Sequence, residues 1–257
     1  MTQGSGVGMN VVGSIPNNLV RRPTAASIAR PSARLLGAVV ITAAALLSTP
    51  ISFASAEPCP DVEVVFARGT GEPAGVGGVG QAFVDSLRSQ VGTRSVGVYG
   101  VNYAASGDFG SSDFPRTFVE GIRDESNHVQ SMASNCPNTK MVLGGYSQGA
   151  AVTGFATAAA VPQGVPSSLV PAPMPPGVAD HVAAVALFGK PSAQWLQAYG
   201  APPIVIGPLY AAKTIDLCIP DDTICNGAPG GSPNIAHALY AVNGMVGQAA
   251  AFTASHL

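Results

Sequence analysis

Charged side chains are scarce in this sequence: Asp, Glu, Lys and Arg together make up 10% of its 257 residues. The 12 basic residues do not outnumber the 14 acidic ones, so the positive excess that binds nucleic acid is missing and no nucleic-acid partner is expected. Disorder is not expected either, because 47% of the residues are hydrophobic and can form a large core. This balance is compatible with an uncharged or lipidic partner but does not select one.

The apolar stretch 35–47 is shorter than the about 20 residues that cross a membrane. It follows four arginines, the only charged side chains in residues 1–56, and precedes Ala54-Ser-Ala56. A basic flank, a short apolar core and an A-x-A site are typical of a secretory signal peptide. We predict cleavage after Ala56 and a secreted protein, retained at the cell wall or released. The remaining domain, 57–257, loses four of the 12 basic residues and carries a formal charge of 8 − 14 = −6.

Cysteine and histidine are also rare, at four residues each. The sequence has no C-x2-C pair and no neighbouring histidine cluster, so no metal site is expected. An even number of cysteines in an exported chain predicts two disulfides, for which three pairings are available. Cys218 and Cys225 are close enough to pair locally, which would leave Cys59 with Cys136.

Short apolar runs alternate with helical patterns along the exported part. The runs predict strands at 61–68, 95–103, 140–146 and 181–188, and a fifth that starts at 203–206. The helical patterns lie at 81–91, 114–135, 148–161 and 234–257. Such alternation favours a parallel sheet that is covered on both faces. We therefore expect an α/β fold with three layers, in which helices flank a mostly parallel five-stranded sheet.

Two segments interrupt this pattern. Six prolines in residues 162–177 predict a stiff surface excursion without regular structure, and the sequence does not decide whether it covers the active site as a lid. Residues 75–80 match the dinucleotide pattern G-x-G-x-x-G, but residues 70–74 separate them from the preceding strand and the next strand ends without an acid. We interpret this segment as a flexible loop near the active site and expect no cofactor.

The motif Gly145-Tyr-Ser-Gln-Gly149 lies between an apolar strand and a helix of small residues. This context is typical of the nucleophile elbow, a sharp turn that needs glycine and raises the serine hydroxyl above the sheet. The helix that follows directs its positive N-terminal end at developing negative charge. Ser147 is therefore the candidate nucleophile, and a simple helix N-cap serine is the alternative interpretation.

A serine nucleophile needs a base, and in this type of fold the order is Ser, then Asp or Glu, then His. His181 opens a strand at the end of the sheet away from the chemistry, and His256 is the penultimate residue. His237 is left as the candidate base. The upstream His128 lies among charged residues on a helix and is expected to be a solvated surface group.

The acid cannot be chosen by spacing. Asp180 precedes a strand and would lie at the wrong end of the sheet. Asp216, Asp221 and Asp222 all lie near the Cys218–Cys225 loop, which could hold a carboxylate rigidly.

The sequence resembles the cutinase family of small secreted α/β-hydrolases. Four segments carry the resemblance, in the family's order: Phe66-Ala-Arg-Gly-Thr70, Gly145-Tyr-Ser-Gln-Gly149, Cys218-x3-Asp222-x2-Cys225 and Ala236-His237. The third segment implies Asp222 as the catalytic acid. The resemblance also implies an oxyanion hole that uses Thr70 and the backbone N–H of Gln148, and the disulfides Cys59–Cys136 and Cys218–Cys225.

The resemblance implies a secreted serine carboxylester hydrolase that cleaves lipidic or other small esters through an acyl-enzyme, without a metal or organic cofactor. Lipase, phospholipase and acyltransferase activities use the same triad, so they stay as alternatives. A non-catalytic protein that binds at the cell envelope is the other alternative, because fold alone does not fix function. We expect a monomer that contacts a membrane or cell-envelope surface.

Overall fold

The computed structural model describes residues 59–228 and 231–257. The predicted signal peptide, residues 1–56, lies outside the described residues, and cleavage after Ala56 stays a prediction. Within the described part of the chain, no helix has both the length and the apolar character needed to span a membrane.

The described residues contain five β-strands and six α-helices. The strands are β1 (Val62–Ala67), β2 (Val96–Gly100), β3 (Lys140–Tyr146), β4 (Val182–Phe188) and β5 (Thr214–Leu217). The α-helices are α1 (Gly77–Arg88), α2 (Phe114–Asn135), α3 (Gln148–Ala156), α4 (Ala193–Ala198), α5 (Pro208–Ala211) and α6 (Met245–Ala254). Two short 3-10 helices lie at Pro176–His181 and Ala236–Ala238.

The five strands form one sheet in the order β2-β1-β3-β4-β5, and all four pairings are parallel. Helices α1 and α6 pack on one face, and α2 and α3 pack on the other. Every residue of β1 and of β4 is buried, as expected for strands that are covered on both faces. The predicted three-layer α/β fold is confirmed. In such a sheet the carboxyl ends of the strands share one edge, where ligand sites form.

The fifth strand was predicted at the wrong place. Residues 203–206 are not a strand; β5 lies at Thr214–Leu217. Pro202 and Pro203 lack the backbone N–H that a strand ladder needs. The apolar residues of this segment serve packing instead, since Ile204 lies against Trp195 and its neighbours and Ile206 lies against the α2 and α3 side of the core.

Several helix boundaries also differ from the prediction. The last helix starts at Met245 rather than 234, because Gly244 has φ +91° and separates it from the loop before it. Helix α3 ends at Ala156, five residues before the predicted end. Helix α1 starts at Gly77, so the second half of the glycine motif is helical and not a flexible loop. The Pro-rich segment was predicted to have no regular structure, but its last two residues belong to the 3-10 helix Pro176–His181.

His128 is not the solvated surface group that the sequence suggested. Its side chain is 20% exposed, and its Nε2 lies 3.1 Å from Glu63 Oε2 of β1. The imidazole stacks on the ring of Tyr99 with 3.5 Å between centroids. The pattern on α2 could not reveal this environment, because both partners come from strands distant in sequence.

The structure contains the disulfides Cys59–Cys136 and Cys218–Cys225, the two pairings that the resemblance implies. The first joins the start of the described chain to Cys136, the residue that follows α2. The second closes a loop directly after β5, and Asp222 lies inside this loop.

Candidate active site

Ser147 occupies a strained turn between β3 and α3. Its φ of 55° and ψ of −118° are rare for a residue with a side chain and cost energy that the surrounding structure must supply. The turn needs glycine on both sides: a Cβ on Gly149 would lie 1.9 Å from the carbonyl oxygen of Ala67, and one on Gly145 would lie 2.3 Å from that of Gly149. The Ser147 side chain makes no capping hydrogen bond, which argues against the N-cap interpretation.

The structure brings Ser147, His237 and Asp222 into one hydrogen-bonded chain. His237 Nε2 lies 2.8 Å from Ser147 Oγ, and His237 Nδ1 lies 2.8 Å from Asp222 Oδ2. The imidazole is 5% exposed and Asp222 is fully buried. This geometry allows a histidine to accept the serine proton while a carboxylate orients its ring.

Of the three candidate acids, Asp222 is the one that hydrogen-bonds to His237. Its Oδ1 accepts a hydrogen bond from the backbone N–H of Ile224, at 2.9 Å. Burial raises the pKa of the Asp222 carboxyl, but hydrogen bonds from His237, Tyr240 and Ile224 outweigh it and hold the pKa below its ordinary value. By contrast, Asp221 is exposed, and Asp216 is an exposed residue whose carboxylate forms an ion pair with Lys190 at 3.2 Å.

Two tyrosines that sequence reasoning missed support this chain. Tyr240 O–H donates to Asp222 Oδ2 at 2.7 Å and accepts from the N–H of Ile219 at 3.1 Å. Tyr146 O–H donates to the carbonyl oxygen of His237 at 2.6 Å. Burial raises the pKa of Tyr146 to about 12, and it raises that of Tyr240 well above the usual range. Both hydroxyls therefore stay protonated and keep donating at physiological pH.

The predicted oxyanion residues line the same cavity as Ser147. Gln148 is the first residue of α3, and its side-chain Nε2 donates to the carbonyl oxygen of Ser106 at 2.9 Å. Thr70, in the loop after β1, lines the same cavity as Ser147 and Gln148. A developing negative charge at this position would face the N-terminus of α3.

A buried arginine fixes the loop that carries Thr70. Arg68 is 6% exposed, and its guanidinium donates to the carbonyl oxygens of Glu72, at 2.8 Å, and of Val101, at 3.3 Å. The Glu72 carboxylate accepts from the N–H groups of Gly69, at 2.6 Å, and Gly78, at 2.7 Å. Arg68 precedes the oxyanion position by only two residues, but the sequence gives no sign that its guanidinium turns inward to hold the loop.

A cavity of about 810 Å³ opens onto Ser147 and His237, within the size range of small-molecule sites. None of the described residues that line it is Asp, Glu, Lys or Arg. The Pro-rich segment contributes part of this wall, so the predicted excursion does reach the site. The lining residues that are aromatic or belong to the Pro-rich segment are Phe109, Phe114, Phe118, Tyr146, Phe155, Trp195, Tyr199, Pro162, Val165, Val170, Pro171, Ala172 and Pro173. Such a wall fits an apolar substrate group.

Among residues 59–228 and 231–257, no cluster of three or more His, Cys, Asp or Glu side chains could hold a metal ion. The site described above is built from a serine, a histidine, a carboxylate and backbone donors.

A second buried carboxyl lies near the elbow. Glu125 of α2 has no exposed surface, and its Oε2 lies 3.1 Å from Thr153 Oγ1 of α3. Thr153 Oγ1 also lies 2.9 Å from the carbonyl oxygen of Gly144 in β3, and Glu125 Oε1 has no hydrogen-bond partner among the described residues. Burial raises the pKa of Glu125 well above its ordinary value, although the Thr153 hydroxyl offsets part of this rise.

We expect the substitution Glu125→Gln to stabilise the protein increasingly as pH rises. The pKa of this carboxyl is higher in the folded protein than in the unfolded chain. Its contribution to the free energy of unfolding is therefore complete at a pH below the unfolded-state pKa, and it is lost as the pH rises towards the folded-state pKa. A neutral glutamine avoids this loss, which is about 1.4 kcal/mol per pH unit within that window. Urea unfolding at about pH 5 and about pH 8 measures the effect.

The matched control is Glu120→Gln, since Glu120 is an exposed residue of the same helix that forms an ion pair with Arg116. The control should show no gain with pH. A stability difference between Glu125→Gln and wild type that does not change with pH would contradict the interpretation.

Three features are those of an α/β-hydrolase: the parallel sheet, the strained serine after β3, and a histidine that hydrogen-bonds both to this serine and to an aspartate. A sequence profile of the cutinase family matches residues 58–257, so the chain belongs to that family and the resemblance is confirmed. It is an ester hydrolase of the cutinase family.

Two relatives and one solved structure support this assignment. The chain is 65% identical, over 169 residues, to the probable carboxylesterase Culp7 of Mycobacterium tuberculosis; the match covers 66% of this chain and 89% of the relative. It is 46% identical, over 232 residues, to phospholipase Culp4 of the same organism, covering 90% of this chain and 94% of the relative. The structure matches that of Trichoderma reesei cutinase in complex with a C11Y4 phosphonate inhibitor, with a TM-score of 0.58 and 36% identity over 77% of each chain.

Proposed function

We propose that this protein is a secreted serine carboxylester hydrolase that cleaves fatty-acyl esters through an acyl-enzyme intermediate. Ser147 is the nucleophile, His237 the general base and acid, and Asp222 the group that orients the imidazole. The observation that carries the proposal is the hydrogen-bonded chain from Asp222 through His237 to Ser147, at 2.8 Å for each contact, at the wall of an uncharged cavity.

In the first half of the reaction, Ser147 Oγ attacks the ester carbonyl carbon while His237 Nε2 takes the serine proton. The carbonyl oxygen becomes an oxyanion, which accepts hydrogen bonds from the backbone N–H of Gln148 and from Thr70. The C–O bond to the alcohol then breaks, and the alcohol leaves with the proton that His237 held. Water repeats these steps on the acyl-enzyme, releases the fatty acid and restores Ser147.

Asp222 acts on this cycle through His237. Its carboxylate accepts a hydrogen bond from the Nδ1–H group, so that Nε2 faces Ser147 with its lone pair, and it stabilises the imidazolium that forms. The depressed pKa of Asp222 keeps the carboxylate ionised at neutral pH. The donors Tyr240 and Ile224 also hydrogen-bond to this carboxylate and thereby fix its position.

The cavity supports a fatty-acyl group as the bound part of the substrate. Its wall is mainly apolar and aromatic, and each buried methylene of an acyl chain gains about 0.8 kcal/mol. The similarity to a protein named phospholipase is consistent with a lipid ester as substrate.

Exposed apolar residues next to His237 support contact with a lipid or cell-envelope surface. Ile235 and Val242 are each 77% exposed, and both lie in the loop that carries the imidazole. The two disulfides and the predicted signal peptide support action outside the cytoplasm. N-terminal sequencing of the exported protein would test this: we expect Glu57 as the first residue, and an intact residue 1–56 segment in the exported protein would contradict it.

Hydrolysis of a series of p-nitrophenyl esters, from acetate to palmitate, tests the proposed activity. We expect turnover that needs no added metal and that prefers a medium or long acyl chain over acetate. Added alcohol acceptors separate a hydrolase, which mainly releases free acid, from an acyltransferase, which mainly forms a new ester. Absence of turnover on every ester by the folded, disulfide-bonded protein would contradict the proposal.

A further inference from the structure

One aromatic ring connects two walls of the cavity. Phe109 lies in the segment between β2 and α2, and its ring centroid is 5.0 Å from that of Phe114, the first residue of α2. The same ring is 6.1 Å from Trp195 and 5.9 Å from Tyr199, at α4. All four side chains line the cavity. Phe109 therefore spans from the α2 side to the α4 side.

The two walls are held in place independently of Phe109. On the α4 side, Trp195 is 9% exposed, its ring lies 4.3 Å from that of Tyr199, and its indole N–H donates to the carbonyl oxygen of Gly231 at 2.9 Å. On the other side, the rings of Phe114, Phe118 and Phe155 follow one another at 5.9 and 6.0 Å. Both walls are thus ordered by their own contacts.

Phe109 is 37% exposed, more than Trp195 at 9% and less than Tyr199 at 52%. It belongs to neither a helix nor a strand. Part of its surface faces solvent while its ring contacts aromatic groups of both walls. A side chain in this position separates the interior of the cavity from water.

We propose that Phe109 covers the acyl cavity and determines the preference of the enzyme for long acyl chains. The proposal rests on the proposed function, because it assumes that an acyl chain occupies the cavity next to Ser147. Methylene groups that lie under the ring are removed from water, and this favours a long chain. A short acyl group has no methylenes to place there and gains nothing from the cover.

Trp195 makes occupancy of the cavity measurable without catalysis, because it is the only tryptophan of the chain. In the Ser147→Ala variant, dodecanoic acid with bromine on its terminal carbon should quench the Trp195 fluorescence in a saturable manner. Bromoacetic acid at equal concentrations is the control for quenching without an acyl tail. Absence of saturable quenching by the long acid would overturn the proposal.

Substitution of Phe109 tests its role as the cover. In the Ser147→Ala background, Phe109→Ala should raise the Kd for bromododecanoic acid about tenfold, roughly the gain from burying two methylene groups. Phe109→Leu keeps an apolar cover and should raise it less. Val98→Ala is the matched control, since Val98 is 39% exposed and lies on the edge strand β2 away from the cavity. An unchanged or lower Kd in Phe109→Ala would contradict the proposal.

The same prediction applies to catalysis. With Ser147 intact, Phe109→Ala should lower the ratio of kcat/KM for the dodecanoate ester to that for the acetate ester about tenfold. Val98→Ala should leave this ratio at the wild-type value, and a ratio that rises in Phe109→Ala would mean that Phe109 obstructs long chains instead. The binding test uses Ser147→Ala and so does not depend on catalysis. If bromododecanoic acid bound as predicted but the intact protein showed no serine-dependent turnover, the proposed function would be refuted and the role of Phe109 as a cover would stand.

Discussion

Replacing Ser147 with Ala is expected to lower the turnover of a p-nitrophenyl ester by about 10⁴-fold or more, because no other group can form the acyl-enzyme. The remaining rate would come from the oxyanion donors and from substrate binding alone. Alanine has the same Cβ as serine, so the strained turn at φ 55° costs it no additional energy. The variant should therefore fold and keep its thermal stability.

Steady-state kinetics and thermal unfolding measure this prediction. Ser134→Ala is the matched control, since Ser134 is an exposed residue of α2, and it should keep wild-type turnover. Substantial activity in a folded Ser147→Ala variant would exclude Ser147 as the nucleophile.

The substitution Asp222→Asn is expected to lower kcat by about 10³ to 10⁴-fold. An asparagine can direct its NH₂ group at His237 Nδ1, which favours the tautomer whose Nε2 proton faces Ser147, and it cannot stabilise the imidazolium. It also loses the carboxylate oxygen that accepts from Tyr240 at 2.7 Å. The KM should change much less than kcat, because Asp222 does not line the cavity.

Asp221→Asn is the control for this substitution, because it makes the same chemical change at the neighbouring, exposed position. We expect it to retain wild-type kcat. If Asp221→Asn lost activity and Asp222→Asn did not, the acid would be assigned wrongly.

The sequence predicts best those features that depend on local sterics. The turn at Ser147 excludes any side chain at Gly145 and Gly149, so its motif is readable from five residues. The strands β1, β3 and β4 are mostly apolar because nearly all of their residues are buried, and the sequence reveals that pattern as well.

Features set by distant contacts could not be predicted in this way. Spacing left three candidate acids, and only the family resemblance favoured Asp222; in the structure it is distinguished by burial and by donors such as Tyr240. The apolar residues Ile204 and Ile206 resembled a strand, although they pack from a loop. The contacts of Phe109 join segments about 90 residues apart in sequence, which no local pattern encodes.

Covalent labelling with a fluorophosphonate probe, followed by peptide mass spectrometry, tests the central claim most directly. The probe phosphonylates a serine that an adjacent base activates, and fluoride leaves. We predict one adduct per chain, on the peptide that contains Ser147, with no adduct in Ser147→Ala and much slower labelling in Asp222→Asn. An adduct at another residue, or none in a folded protein that hydrolyses esters, would contradict the account.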